Sequence, residues 1–148
     1  MLLAIDPGVT TGVAVKIRDS YITACVKEPA DLWQYFNAPY EAVIVETFAA
    51  QIISHHGLHT VRLVGGVEAL CHHLRLPLYL QPPQRRKAFM NSARNILHAQ
   101  WERTHTRHEV HEEDALAHML AWEHHTRARN SEGTGTVVIP MNRKRTNE

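Results

Sequence analysis

The chain has 148 residues, enough for one domain with a sizeable core, and its 44% apolar and 21% charged content suits a globular fold and not a disordered one. No stretch approaches the roughly 18 to 20 apolar residues of a membrane helix, and MLLAID has no basic start, so neither a membrane span nor a signal peptide is expected and the cytoplasm is the expected location. The net charge of +1 is uneven: residues 126–148 carry five Lys or Arg against two Glu, while residues 1–125 are acidic by two charges, so a body that binds nucleic acid must gather its acids in one place and neutralise them there.

LLAID (2–6) and AVIVE (42–46) are short apolar runs that each end in an acid, the pattern of central strands buried on both faces. Between them GVAVKIR (12–18) and SYITACV (20–26) alternate, and Asp19-Ser20 joins them as a hairpin. Pro29 to Phe36 reads as a short helix. From Leu58 to Arg75 the apolar positions Leu63, Val67, Leu70, Cys71 and Leu74 recur at helical spacing. LPLYL (76–80) reads as a fifth strand, and Pro82-Pro83 ends it and opens a helix to about Trp101. HEEDALAHMLAWEHH (111–125) reads as a strong helix with Leu116, Met119 and Leu120 inward. The domain is expected to span residues 1–126 and a basic, disordered tail residues 127–148. Strands followed by alternating helices imply an α/β fold with a mixed sheet. Cys25 and Cys71 stand far apart, outside any C-x-x-C pair, and read as reduced thiols.

If the first and fourth strands are parallel neighbours, Asp6 and Glu46 emerge together at the carboxyl edge, where open α/β sheets bind ligands. On a helix from His111, positions 111, 114 and 118 share one flank, so His111, Asp114 and His118 can face those two acids. Acids brought together repel unless protons or cations intervene. Mg²⁺, a hard cation that binds a few carboxylates plus substrate phosphate, fits such a set, and an imidazole also suits Mn²⁺. Two ions roughly 3.5 to 4 Å apart can stabilise the attacking and leaving oxygens of phosphodiester cleavage.

With AIDPGVTTG at the first strand, VIVET at the fourth and HEEDALAH opening the last helix, the sequence resembles the RuvC family of Holliday junction resolvases, within the RNase H-like superfamily. The resemblance covers residues 2 to about 125 and implies an RNase H-like fold with a five-stranded mixed β-sheet flanked by α-helices. It implies that Asp6, Glu46, His111 and Asp114 are the catalytic metal ligands, holding two Mg²⁺ with Mn²⁺ as substitute. Glu113 and His118 would stand behind them. It also implies a homodimer that nicks two strands of a four-way junction, leaving 5′-phosphate and 3′-hydroxyl ends. Pro7 and Gly8 would turn the chain away from Asp6, and Thr10, Thr11 and Gly12 would keep bulk off the phosphate path. Phe48 lies two residues after Glu46, where family members often carry an aromatic three residues on. The short chain and basic tail fit a bacteriophage-type member, and hence a broader choice of branched DNA that includes forks and flaps.

Lys87, Asn91, Arg94 and His98 line one helix face, and with Arg85 and Arg86 they read as either a solvated face or a phosphate-tracking one. Arg62 is a further candidate DNA contact, from the helix whose Gly65-Gly66 pair suggests close approach by another backbone, either across a dimer or within the monomer. Other functions are weaker. The D-P-G-x-x-T-G turn also resembles the phosphate loop of actin-like ATPases, which need two lobes. A non-cleaving junction-binding module would be expected to have lost a carboxylate. A nuclease for RNA–DNA hybrids sits poorly with the His111–Asp114 spacing, and the histidines show no zinc-site framework.

Overall fold

The computed structural model describes residues 1–47, 55–105 and 107–131. Five strands, β1 (Leu2–Asp6), β2 (Thr11–Ile17), β3 (Ser20–Val26), β4 (Ala42–Glu46) and β5 (Leu78–Gln81), form one mixed sheet in the order β3-β2-β1-β4-β5. The β1–β2 and β2–β3 pairs are antiparallel, whereas β1–β4 and β4–β5 are parallel. The helices are α1 (Pro29–Leu32), continued by a 3₁₀ turn over Trp33–Phe36, α2 (His55–Leu74), α3 (Met90–Thr104) and α4 (Val110–Ser131). This is the expected α/β architecture, and no described helix is long and apolar enough to cross a membrane.

Strand alternation divides the side chains between two cores. Leu3, Ile5, Val13, Val15, Val43 and Val45 point to the side covered by Leu32, Phe36 and the Leu63, Val67 and Cys71 stripe of α2. Leu2, Ala4, Ala14, Ala42 and Ile44 point to the other side, against Ala93 and Leu97 of α3 and Ala115, Leu116, Ala117 and Met119 of α4. The second interface sets alanines of the sheet against alanines of α4, so the helix lies close to the strands. Each fully buried side chain such as Leu3, Ile5, Ile44 or Leu116 contributes roughly 1.5 to 3 kcal/mol. Asp6, Gly12, Glu46 and Gln81 have the parity of the α4 side, which decides where the strand-end chemistry collects.

Several local expectations change. The two-residue hairpin loop is Arg18–Asp19, with Ile17 paired to Ser20 and Arg18 at φ 56°, and β2 begins at Thr11 and not at Gly12. Residues Pro83–Phe89 form a 3₁₀ segment with no buried residue, so the regular helix starts only at Met90. At the other end α4 runs to Ser131, past the expected end at residue 125. There Trp122 packs edge-on against Tyr79 at 5.4 Å, and Glu123 holds Lys16 and accepts from Tyr21 at 3.1 Å. Phe48 and residues 132–148 of the tail lie outside the described residues. Among the described residues, a Cβ on Gly65 would meet nothing within 4 Å, and one on Gly66 would reach Trp33 at 3.5 Å.

Candidate active site

Parallel pairing sets Ile5 beside Val45, so Asp6 and Glu46 leave the sheet side by side, and Gln81 lies in register with Glu46 on the next strand. Gly12 pairs with Asp6 across the antiparallel ladder. A Cβ on Gly12 would fall 1.8 Å from the His111 carbonyl oxygen. Only glycine therefore lets the first turn of α4 cross β2 at this height. That close approach, and not clearance for a phosphate, is the steric reason for glycine here. It sets His111 Nδ1 3.4 Å from Asp6 Oδ2.

The four residues expected as metal ligands converge. Ligand atoms of Asp6, His111 and Asp114 lie within 4.8 Å of one another, and so do those of Asp6, Glu46 and His118. Asp6 belongs to both groups. His118, expected behind the ligands, is fully buried: its Nε2–H donates to Glu46 Oε2 at 2.6 Å, and its Nδ1 lies 3.0 Å from Gln81 Oε1. It thus braces Glu46. Arg86, expected on an outward DNA-facing surface, instead reaches into the centre. Its guanidinium pairs with Glu46 and, at 3.1 and 3.4 Å, with the two oxygens of Asp114.

Three carboxylates against one guanidinium leave the centre negative. Burial, then the charges of Glu46 and Asp114, push Asp6 up to about 6, against the pull of Arg86 and the His111 contact. Burial also acts to raise Glu46, but the His118 hydrogen bond and charge, with Arg86, outweigh it and hold Glu46 below the usual carboxylate range. As pH falls, Asp6 therefore takes up a proton before Glu46 does. The donor set of oxygens with one imidazole per group fits hard or borderline divalent cations. In this same cluster Gln81 Nε2 is a buried donor with no hydrogen-bond partner among the described residues.

The remaining candidates lie elsewhere. Glu113 accepts from Arg94 Nε at 2.8 Å and belongs to neither ligand group, so Arg94 is already paired. Thr11 is buried, its hydroxyl donating to the Gly8 carbonyl at 3.3 Å, which removes it from any DNA-facing surface. Thr10 is half-buried in the loop that follows Asp6, and Arg62, Arg85 and Lys87 are exposed. Glu112 is a structural acid: it accepts from Thr23 Oγ1 at 2.5 Å, lies 2.9 Å from His108 Nδ1, and ties the start of α4 to β3. Gln81 was missed although strand-end logic applies to it, since its run lies beside AVIVE and ends at the same edge.

No protein-family model matches the chain, and no curated protein matches it. Solved structures do. RuvC of Thermus thermophilus superposes with a TM-score of 0.59 at 17% identity, over 86% of this chain and 95% of that one. The same organism's RuvC in complex with a Holliday junction substrate gives 0.60 at 18% identity, over 90% and 96%. The Fowlpox virus resolvase, solved with Holliday junction DNA, gives 0.60 at 7% identity, over 84% and 99%. The fold is that of RuvC. At these identities the likeness establishes the RuvC-type, RNase H-like fold, and the expected fold class holds.

Proposed function

We propose that this chain is a divalent-metal-dependent endonuclease that resolves four-way DNA junctions by paired nicks, leaving 5′-phosphate and 3′-hydroxyl ends. The observation that carries this reading is the convergence of Asp6, Glu46 and Asp114, from three separate elements, at the carboxyl edge of a RuvC-type sheet. Asp6, His111 and Asp114 would hold one Mg²⁺ or Mn²⁺, and Asp6 with Glu46 a second, with His118 behind Glu46. Ions bound there supply charge neutralisation at the phosphate and a more acidic attacking water.

The chain's own residues do the rest. Asp6 stands rigidly at the end of a buried strand, so its carboxylate serves both groups without rearrangement. His118 is a positioning residue that keeps Glu46 ionised and aimed inward. Arg86, with a planar fork of donors, is placed to pair with a phosphate of the strand that enters the centre. The exposed Arg62, Arg85 and Lys87, together with the basic tail, would extend phosphate binding. A homodimer is supported by the surface around α2, where Leu58, Val61 and Trp33 are exposed and, among the described residues, nothing crowds Gly65. Among substrates, the proposal includes forks and flaps as well as four-way junctions.

The test is an immobile four-way junction labelled on each strand, incubated in Mg²⁺ or Mn²⁺ with wild type, Asp6→Asn and Asp114→Asn, beside duplex, fork and flap DNA. Symmetric nicks in opposed strands, absent with both variants and absent on duplex, are expected. Cutting of forks and flaps at the rate of junctions broadens the reading from a resolvase to a general branched-DNA nuclease. Tight binding with no cleavage in either metal overturns the enzyme.

A further inference from the structure

A concavity of about 570 Å³ opens between α3 and the connection that leads into α4, lined chiefly by Arg94, Leu97, His98, Trp101, Arg107 and His108. Its volume is in the range that holds a small-molecule ligand or a nucleotide. One wall is aromatic. Trp101 is 44% exposed, lies 5.6 Å from the His98 ring and meets His105 edge-on at 6.5 Å, so an exposed indole is flanked by two imidazoles. The other side is cationic. Arg94 has one nitrogen on Glu113, and Arg107 is exposed with no ion pair among the described residues.

This concavity shares part of its lining with a neighbour. A second one, of about 560 Å³, is lined by Arg107, His108, Glu109, Val110 and His111. Arg107 and His108 border both, and His111 belongs to the carboxylate centre. Arg107 and His108 thus lie between His111 and the Trp101 wall in the chain and line both concavities. His108 is fixed in that position through Glu112, itself held by Thr23.

An indole face beside arginines is the chemistry that takes a base by stacking and its phosphate by charge. Bases inside a duplex present edges and not faces, so the occupant must be unpaired. We propose that the Trp101 concavity receives an unpaired nucleotide of the DNA strand that passes through the acidic centre, its base stacked on Trp101 and its phosphate on Arg107. The inference rests on the nuclease reading above and makes it more specific: the preferred substrate has an unpaired base a short distance from the nick. That property belongs to branch points and strand ends, and an intact duplex lacks it.

The test uses the full chain in EDTA, with a ten-residue oligothymidylate, a blunt duplex and the mononucleotide dTMP as probes, read by tryptophan fluorescence. The oligothymidylate is expected to quench wild type and not Trp101→Phe, the duplex to leave the Trp101 emission unchanged, and dTMP to bind far more weakly because it lacks the strand. Trp101→Ala is expected to weaken oligothymidylate binding about 10-fold, with Trp101→Phe recovering most of it. Arg107→Ala is expected to lower the salt slope by about one. On junctions in Mg²⁺, Trp101→Ala should raise KM about 10-fold with kcat little changed and melt like wild type. Equal affinity of wild type and Trp101→Ala for the oligothymidylate overturns the proposal, as does equal Trp101 quenching by duplex, which would mark a surface that follows phosphates only. If wild type nicks junctions and Trp101→Ala nicks them with the same KM, the concavity fails and the nuclease stands. If wild type does not nick at all, the nuclease fails, while the quenching still decides the concavity.

Discussion

Replacing Asp6 by asparagine is expected to abolish nicking and at the same time stabilise the metal-free protein. The Asp6 carboxyl moves from an ordinary value of 3.8 to about 6 because it is buried beside Glu46 and Asp114. A carboxyl whose folded value is raised binds its proton more tightly in the folded state. The stability it confers is therefore fully present below the unfolded value of 3.8 and is lost as pH rises through about 6. The difference corresponds to about 3 kcal/mol as an upper figure. Asparagine keeps the shape, removes the charge, and can donate to Glu46 as the protonated acid does. A gain of about 1 to 3 kcal/mol at pH 8 translates into roughly 3 to 10 °C in Tm for a domain of this size. Thermal unfolding in EDTA at pH 8 should show this gap, and at pH 5, where wild-type Asp6 is itself protonated, the gap should shrink. Added Mg²⁺ should raise the Tm of wild type and leave the variant little changed. An Asp6→Asn protein that melts at or below wild type at pH 8, or with the same gap at both pH values, would refute the reasoning.

Other perturbations probe the supports of the site. Gly12→Ala drives a Cβ into the His111 carbonyl, so it should cost about 3 kcal/mol in urea unfolding and, by pushing α4 off the sheet, remove nicking. His118→Leu takes away the hydrogen bond that holds Glu46 below its ordinary range; burial then prevails, and the acid limb of the nicking pH profile should move to higher pH while junction binding persists. Gly65→Arg places a charge on the open, apolar α2 surface; light scattering should show a monomer that leaves single nicks in place of paired ones.

Much of the fold was legible because its signals are local. Two apolar runs ending in acids become the parallel pair β1 and β4, and the alternating segments between them become the β2–β3 hairpin. The helical period of HEEDALAH places His111 and Asp114 on one flank, and the structure sets that flank over Asp6. What escaped the sequence depends on contacts between distant segments. Arg86 reads as one of three consecutive cations, and only the 3₁₀ path over Pro83–Phe89 turns it toward Glu46 and Asp114. His118 is indistinguishable by spacing from a solvent-facing histidine until Glu46 and Gln81 are known to lie beneath it. Thr11 reads as a loop residue because a one-residue shift in the start of β2 decides whether it points inward. Gly12 has no local signature at all: the clash that fixes it comes from a backbone about a hundred positions away.

The most direct measurement of the central claim is cleavage of a supercoiled plasmid that extrudes a cruciform, in Mg²⁺, by wild type and by Asp6→Asn. Two nicks made within one binding event give linear plasmid whose ends a ligase can seal, and this product is expected from wild type and absent with the variant. Nicked circles alone, linear product that resists ligation, or cleavage that survives the loss of Asp6 would contradict a metal-dependent resolvase built on Asp6, Glu46 and Asp114.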